Sequence, residues 1–438
     1  MFKVKLWFIL FCFIFFLMGI SHSTEILTLD KAVQIAIKNN PKIKESLFNK
    51  RTAMEEKRSA FSEMLPKISA EYKYLHLRDD PFVYFKMGPQ EKKFVRGYRN
   101  TYSWNISLVQ PIFTGFALLS KYEIAALGLD REKLSAELTK LDVAFEVKQA
   151  YFNVLLARRE LEVMEEEVKQ LKSHLEDAKG FYSQGIIPKN DLLKSEVAYS
   201  LAKQKLVRAK SDLSVAKSNL NRILNRNILD FSYEIQDVNT MPLLSQRLDE
   251  LIKKAMKKRP EIIAIDRAIK QASWGIKLAR SKFFPTVSIF GEYQREGEDL
   301  GATENKFTND KNLLLGINAK WQFFESGKKF FDVRKAKWKL KSLKERKKGL
   351  KNQIAVQVKK AYEDLMVAKI NVETAKKSLS QARENYRVTN EGYKVQVNTS
   401  TDVLDARTYL TQSELNYYSA LYGFHIALAA LKRAVGEY

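Results

Sequence analysis

The residues of this chain that could do chemistry are charged side chains, and their spacing suits ion attraction better than catalysis. Asp402 and Asp405 are three residues apart, so on a helix both carboxylates would share one face. Taken alone, the pair is most simply a solvated helix face, and joint attraction of a cation is the alternative. The four histidines lack the spacing of a metal site: His22, His76, His174 and His425. No glycine-rich phosphate loop or nucleophile elbow occurs. The sequence therefore predicts a protein that is not an enzyme and needs no metal or cofactor.

The chain is strongly basic, with a formal net charge of +24 at pH 7. Such an excess favours a nucleic acid or an anionic surface as a partner. Part of it is local, because residues 328–360 contain 14 Lys or Arg and only two acids, Asp332 and Glu345. The simplest interpretation of this stretch is a solvated helix face.

The N-terminus has the pattern of a secretory signal. Lys3 and Lys5 precede an apolar run over residues 6–20, and small residues follow at Ser21 and Ser23. We interpret residues 1–23 as a signal peptide, with a single membrane anchor as the alternative. The only cysteine, Cys12, lies inside this segment, so the mature chain is expected to have no thiol. Secretion argues against a nucleic-acid partner and favours a membrane surface.

The chain contains a long internal repeat. Proline-containing and aromatic pairs recur at an offset of 219 and then 211 residues: Asn40-Pro41 and Arg259-Pro260, Leu65-Pro66 and Phe284-Pro285, Ala150-Tyr151 and Ala361-Tyr362. This spacing is too long for a solenoid repeat and indicates a duplicated half-molecule. We divide the mature chain into a first repeat at 24–225, a linker at 226–246 and a second repeat at 247–438.

Each repeat contains two segments in which polar and apolar residues alternate, as in a β-strand with two different faces. The predicted strands are about 67–75 and 101–110 in the first repeat, and about 286–295 and 312–323 in the second. Their length and their flanking aromatics are typical of an outer-membrane barrel, although a half-buried sheet has the same alternation. The segments between them, 75–100 and 295–311, are predicted to be loops.

Four strands cannot close a barrel, so a spanning sheet would require oligomerisation. Two copies would supply eight strands, and three copies would supply twelve, with room for a lumen.

The rest of each repeat is predicted to be helical. The expected helices cover 29–64 with a break near Pro41, 117–180 and 189–224, and then 247–283 with a break near Pro260, 328–392 and 401–435. Leu134, Leu141 and Leu155 share one heptad position, which is coiled-coil spacing. The longest helix would span roughly 95 Å, so we expect the helices to pack against each other as a bundle or tube.

These features together resemble the TolC-like outer-membrane efflux protein family over essentially the whole mature chain. The resemblance rests on the repeated pairs, on the turn Gln110-Pro111-Ile112-Phe113-Thr114-Gly115, and on a helix-turn signature at 181–193 with a second copy at 393–406. It implies a mixed α+β membrane protein: a homotrimer in which each chain gives four strands to a twelve-stranded outer-membrane β-barrel, continued by a periplasmic α-helical coiled-coil barrel. It also implies a passive exit duct that meets a periplasmic adaptor (membrane fusion) protein and an inner-membrane pump.

The resemblance assigns roles at the narrow periplasmic end. Asp402 and Asp405 match carboxylates that ring the entrance, and Asp191 and Tyr393 match residues that hold it closed by hydrogen bonds between helices. The usual basic partner falls at Asn398, so Lys189 or Lys394 would have to replace it. Lys194 is the repeat equivalent of Asp405, so the acidic ring would come from the second repeat alone.

The two helix-turn signatures are the expected adaptor-contact tips. Their residues are Gly185, Ile186, Ile187 and Pro188 in the first repeat, and Gln396, Val397, Asn398 and Thr399 in the second. Gln396 stands where the first copy has Gly185, so we expect the second turn to differ in backbone shape.

Two further hypotheses concern the surroundings of three lysines and an alternative function of the protein. Lys335, Lys339 and Lys344 are predicted to form a basic girdle facing outer-membrane lipid, unless they line the tunnel or coat the rod. The alternative function is a non-conducting periplasmic coiled-coil adaptor or envelope spacer, against which the four amphipathic strands argue.

Overall fold

The computed structural model of the chain describes residues 25–238, 240–242 and 246–438. The predicted signal peptide lies outside the described residues. No helix in the described ranges is both long and apolar enough to cross a membrane.

The helices lie where the sequence pattern predicts them. Their bounds are α1 Leu29–Asn39, α2 Pro41–Ser62, α3 Ala117–Ser183, α4 Lys189–Leu224, α5 Leu248–Lys258, α6 Pro260–Ser281, α7 Lys328–Lys394 and α8 Ser400–Val435. Pro41 and Pro260 are each the first residue of a new helix. At this position the backbone amide would have no hydrogen-bond partner within the helix, so proline loses nothing by lacking it, and its fixed φ already suits a helix. The predicted breaks at these two prolines are therefore confirmed.

The chain forms two compact units, each built from segments of both repeats. The first unit takes the described residues up to 44, with 139–255 and 354–438, and the second takes 45–138 and 256–353.

The first unit is organised around a small parallel sheet of two strands, β1 Glu25–Leu27 and β6 Tyr233–Ile235. Strand β6 lies in the predicted linker, which therefore contains regular structure. The Tyr151 side chain of α3 is fully buried here, with its hydroxyl 2.6 Å from the Gln236 carbonyl and 3.0 Å from the Leu27 carbonyl. Tyr151 thus connects α3 to the last residue of β1 and to the residue that follows β6.

The second unit contains a four-stranded antiparallel sheet. Its strands are β2 Lys67–His76, β5 Asn100–Phe113, β7 Thr286–Gly297 and β8 Lys311–Lys320, in that spatial order. Each repeat supplies one pair, and the β5–β7 pairing joins the two repeats. Strands β2 and β8 are the edges of this sheet.

The segment 75–100 is not a simple loop, and this prediction was wrong. It contains a hairpin of β3 Phe82–Met87 and β4 Gln90–Val95. Gly88 and Pro89 form its two-residue turn, where Gly88 has a φ of 72°. The alternation is hidden because apolar residues such as Phe82, Val83 and Tyr84 occupy both faces.

Candidate functional site

The register of the four-stranded sheet gathers its apolar side chains on one face. Ile106 lies opposite Ala70 of β2 and Tyr293 of β7, and Tyr293 lies opposite Leu313 of β8. Because side chains alternate along each strand, the same face holds a larger apolar set: Ile68, Tyr72, Tyr74, Tyr102, Trp104, Leu108, Ile289, Leu315 and Ile317. The alternation predicted strand by strand therefore adds up to one continuous apolar surface.

The opposite face of the same sheet is mostly polar. Ser107 lies between Ser69 of β2 and Glu292 of β7, and the Ser69 and Ser107 hydroxyls are 2.7 Å apart. The Asn105 amide donates to the Glu292 carboxylate at 2.5 Å. A sheet with one apolar and one polar face suits an interface between lipid and water.

The apolar face is exposed in the single chain. Leu315 is 80% exposed, and Ile68 and Ile317 are 71% and 72% exposed. A continuous apolar surface of this kind marks contact with a membrane or a partner. The sheet can therefore do what the sequence predicted, with apolar side chains toward lipid and polar side chains toward a lumen.

The two helix tips have the same backbone conformation, although their sequences differ. At the end of α3 the Ile186 amide donates to the Phe181 carbonyl and the Gly185 amide to the Tyr182 carbonyl, both at 2.9 Å. At the end of α7, Val397 donates to Gly392 at 2.8 Å and Gln396 to Tyr393 at 3.0 Å. Both patterns are Schellman caps, with a left-handed residue after the helix.

Gln396 adopts this left-handed conformation with a φ of 62°, close to the 72° of Gly185. The expectation that the second turn would differ in backbone shape was wrong. The cap hydrogen bonds impose the same turn on Gln396, although a residue with a Cβ atom is sterically strained at positive φ.

We expect replacement of Gln396 by Gly to stabilise this tip, since glycine adopts the left-handed conformation without steric cost. The Gln396→Gly variant should exceed Gln396→Ala in free energy of unfolding by about 1 kcal/mol. Chemical denaturation followed by circular dichroism measures this difference. The alanine variant is the control, because it also removes the Gln396 side chain but keeps the strained φ. Equal stability of the two variants would contradict the assignment.

Asp402 begins α8 in a capping box with Thr399. The Asp402 carboxylate accepts hydrogen bonds from the Thr399 amide at 2.8 Å and hydroxyl at 2.7 Å, while the Asp402 amide donates to the Thr399 hydroxyl at 3.2 Å. These bonds to Thr399 hold the pKa of Asp402 below its ordinary value. Asp405 is exposed on the same helix, as Asp402 is. Asp402 therefore has a structural role that sequence reasoning missed, and the pattern Thr-x-x-acid could have revealed it.

The basic neighbour of Asp191 is Lys194, and not Lys189 or Lys394 as the sequence suggested. The Lys194 ammonium is 3.4 Å from the Asp191 carboxylate and 3.1 Å from the Thr401 hydroxyl, so it links α4 to α8. Lys394 instead pairs with Glu391 at 3.1 Å. Asn398 donates to the Thr389 carbonyl at 3.1 Å and so helps to close the end of α7.

Tyr393 is buried in a cluster that joins all four long helices near their tips. Its ring lies 4.7 Å from the His174 ring and 5.5 Å from the Phe181 ring. Its hydroxyl lies near Ser400 without meeting hydrogen-bond geometry. His174 Nε2 is 2.8 Å from the Ser400 hydroxyl, which is 3.2 Å from the Ser195 hydroxyl.

Burial lowers the pKa of His174, so this ring is neutral near pH 7. Sequence reasoning missed His174, Ser195 and Ser400 as partners, because no local pattern links residues so far apart in the chain.

The predicted basic girdle divides into two groups. Lys335 and Lys339 line a cavity of about 790 Å³ in the second unit. Lys344 is exposed further along α7 and is not among the lining residues.

Comparisons with known proteins agree with this geometry. A family model described as outer membrane efflux protein matches residues 32–226 and 251–437. The chain is 21% identical over 442 residues to the outer membrane protein TolC of Escherichia coli strain K12, covering 96% of this chain and 84% of TolC. It is 20% identical over 410 residues to the outer membrane efflux protein BepC of Brucella suis biovar 1. The match covers 94% of this chain and 85% of BepC.

A solved structure has the same fold. The CmeC outer membrane channel of Campylobacter jejuni superimposes with a TM-score of 0.78 and 18% identity, over 93% of this chain and 85% of CmeC.

Proposed function

The chain belongs to the outer membrane efflux protein family, and from this premise we propose that it is the passive exit duct of a tripartite efflux or type I secretion system. As a member of this family it is an outer-membrane efflux channel with a long periplasmic extension, and it is not an enzyme. In the proposed assembly, three chains share one twelve-stranded barrel, and substrates arrive from an inner-membrane pump through a periplasmic adaptor. The observation that carries this proposal is the sheet with one apolar face, one polar face and, within the described ranges, two edges that no strand covers.

The two helix tips are the proposed contact with the adaptor. Ile186 at the first tip is 48% exposed, and Val397 at the second is 78% exposed. Apolar side chains held outward by a rigid cap cost little entropy to bury, which suits docking to a partner. The tip residues at 185–188 and 396–399 would present these two side chains to the partner.

The carboxylates of Asp402 and Asp405 are the proposed cation-attracting ring of the periplasmic entrance. Three copies of the pair would place six negative charges around a narrow opening, which favours cations over anions. Both side chains are exposed in the single chain, so they are free to face such an opening. Asp405 is the cleaner probe, because Asp402 also caps α8.

We expect Asp405→Asn to lower the cation-to-anion permeability ratio of single channels in a planar bilayer by at least about twofold, because charge rings set ion preference. Asp402→Asn added to it should lower the ratio further.

Thr399→Ala is the matched control, since it removes the capping box but keeps both carboxylates, and it should leave the ratio unchanged. A ratio unaffected by the double replacement would contradict the entrance assignment. Absence of any channel in the wild type would contradict conduction itself.

A further inference from the structure

The second unit contains a cavity whose lining is rich in lysine. It lies among the start of α3, the end of α6, the adjoining ends of β7 and β8, and the first turns of α7. Its volume of about 790 Å³ is that of a site for one small organic molecule. Five lysines line it, with two acids, Glu325 and Asp332: Lys282, Lys320, Lys329, Lys335 and Lys339.

The two acids do not balance this positive charge. Asp332 pairs with Lys282 at 2.7 Å, and Glu325 pairs at 3.2 Å with Lys328 outside the lining. The other four lysines of the lining form no ion pair within the described part of the chain. The cavity therefore has an excess of positive charge that a bound anion would relieve.

One of these lysines is built into the wall. Lys329 is only 5% exposed, its ammonium donates to the Gln322 carbonyl, and it lies 6.0 Å from the centre of the Phe283 ring. A buried ammonium is costly unless it is hydrogen-bonded and offset by negative charge. These contacts supply part of the compensation, and an anion in the cavity would supply the rest.

The register of the sheet shows on which side the cavity opens. Thr286 and Lys320 are paired across β7 and β8 and line the cavity, and they share the polar face with Glu292 because side chains alternate along a strand. Gln322, two residues after Lys320, lines the cavity as well, whereas the exposed Trp321 does not. The cavity therefore belongs to the polar side of the sheet, which the proposed channel turns toward its lumen.

The uncharged part of the lining indicates what kind of anion fits. Leu278, Ala279, Phe284 and Ala336 add apolar surface beside the lysines. Each ammonium is a flexible point charge, so it accepts a sulfonate, carboxylate or phosphate without demanding one exact geometry. An inorganic anion would leave the apolar wall uncovered, whereas an organic anion with an apolar body would remove this surface from water. The lining therefore favours an organic anion that is partly apolar.

We propose that this cavity is a luminal binding site for small organic anions with an apolar body, and that such anions are among the substrates that the channel exports. Lys320, Lys335 and Lys339 hold the negative group, and Lys329 adds its charge from the wall. The inference rests on the proposed function, because only a conducting channel brings a substrate to its lumen.

This proposal adopts the tunnel alternative for Lys335 and Lys339 in place of a lipid-facing girdle. Lys344 lies outside the lining and takes no part in the site. The positive charge of the cavity and the carboxylates of Asp402 and Asp405 act in opposite senses on ion permeability, so the sign of the effect separates the two sites.

The first test measures binding of naphthalenesulfonate to the purified full-length protein in phosphatidylcholine nanodiscs, by equilibrium dialysis with empty nanodiscs subtracted. Wild-type protein should saturate at about one naphthalenesulfonate per chain, as a cavity of this volume allows. Lys335→Gln with Lys339→Gln should bind it at least about tenfold more weakly, because two positive charges beside the sulfonate are lost. Lys344→Gln with Lys351→Gln is the matched control, with the same charge change on the same helix at exposed positions outside the cavity, and it should bind as wild type does.

Three further arms separate charge, apolar contact and folding. Lys335→Arg with Lys339→Arg should retain binding, because it keeps the charge that the glutamine variant removes. Naphthalenesulfonamide, which has the same ring system without the negative charge, should bind at least about tenfold more weakly than the sulfonate. Inorganic sulfate, which has the charge without the apolar body, should not displace naphthalenesulfonate at matched concentration.

The luminal position has a measurement of its own. Naphthalenesulfonate added to open wild-type channels in a planar bilayer should produce transient current blocks, and Lys335→Gln with Lys339→Gln should shorten them at least about tenfold, in step with the loss of binding. The same variant should raise the cation-to-anion permeability ratio, in the direction opposite to Asp405→Asn.

Equal binding by the two glutamine variants would overturn the proposal, and so would equal binding of the sulfonate and the sulfonamide or displacement by sulfate. Unchanged current blocks and an unchanged permeability ratio in a variant that has lost binding would place the cavity outside the lumen and overturn its role in export. A wild type that forms no channel would contradict the proposed function instead, and the dialysis result would then still decide whether the cavity binds an organic anion.

Discussion

In mild detergent the purified protein should have the mass of three chains, and a lipid-facing charge should abolish that assembly. Among the residues that the structure describes, strands β2 and β8 each have one side without a strand partner. In hydrocarbon each unsatisfied backbone group costs several kcal/mol, so an open sheet edge is not tolerated there. Pairing β8 of one chain with β2 of the next would remove both edges, and three copies would close the proposed twelve-stranded barrel. Size-exclusion chromatography with light scattering measures the mass.

Replacement of Leu315 by Arg tests which face of the sheet meets lipid. An arginine near the bilayer midplane on the lipid face destabilises a barrel by about 2–4 kcal/mol, and a trimer would contain three such arginines. Leu315→Arg should therefore yield little or no membrane-inserted trimer. Asn318→Arg is the matched control, because it places the same side chain on the opposite, polar face of the same strand.

Two outcomes would contradict this account. A stable monomer or dimer in the wild type would rule out closure by three chains. Equal assembly of the two arginine variants would mean that the faces of the sheet are assigned wrongly.

The helices give independent support for association. On α4 the side chains of Val197, Leu201 and Val207 are 59%, 52% and 69% exposed, and Val356 and Ile370 of α7 are 66% and 61% exposed. A soluble monomer would gain nothing by presenting these rows of apolar side chains to water. Neighbouring chains in a helical tube would cover them.

The sequence predicts the helices and the strands of the four-stranded sheet well because their signals are local. Helix α4 begins and ends at the predicted residues, with Pro188 before it and the left-handed Asn225 after it. The sheet faces follow from period-two alternation, and pairing only has to align strands that already have two faces. Both properties belong to short stretches of chain.

Other features escape sequence reasoning because they depend on contacts distant in the chain. Strands β1 and β6 have three residues each, too few for any periodic pattern, and they exist because they pair with each other. Gln396 takes a glycine conformation because the Schellman hydrogen bonds outweigh its local preference. The basic partner of Asp191 could have been suspected from its i+3 position, but the bond from Lys194 to Thr401 could not.

The feature hardest to foresee is a polar cluster around Asp237, in the segment predicted as a linker. Its carboxylate pairs with Arg159 and with Arg158 at 3.3 Å, both on α3, and accepts a hydrogen bond at 2.9 Å from Tyr422 on α8. Tyr422 is fully buried, and burial is the main cause that raises its pKa to about 12. Asp237 therefore joins α3, α8 and the segment after β6 through one carboxylate.

We expect Asp237→Ala to lower the free energy of unfolding by about 3 kcal/mol, because it leaves two guanidinium groups and a buried hydroxyl without their shared acceptor. Denaturation at fixed protein concentration, followed by circular dichroism, measures the change. Asp212→Ala is the matched control: its partner Arg208 is 3.1 Å away on the surface of α4, so the loss should stay within about 0.5 kcal/mol. Similar losses in both variants would show that the Asp237 cluster contributes no more than a surface pair.

The pH dependence of the free energy of unfolding provides a second test of the Asp237 prediction. Burial alone would raise the pKa of Asp237, but hydrogen bonds from Tyr422 and Arg159, with the charge of Arg159, hold it below its ordinary value of 3.8. A carboxylate with a depressed folded-state pKa contributes stability that is present above the unfolded value and is lost as pH falls through the folded value. The stability difference between wild type and Asp237→Ala should therefore be constant from about pH 5 to 7 and shrink below about pH 4. A difference that does not change at low pH would mean that packing, and not the charge of Asp237, connects this segment to the helices.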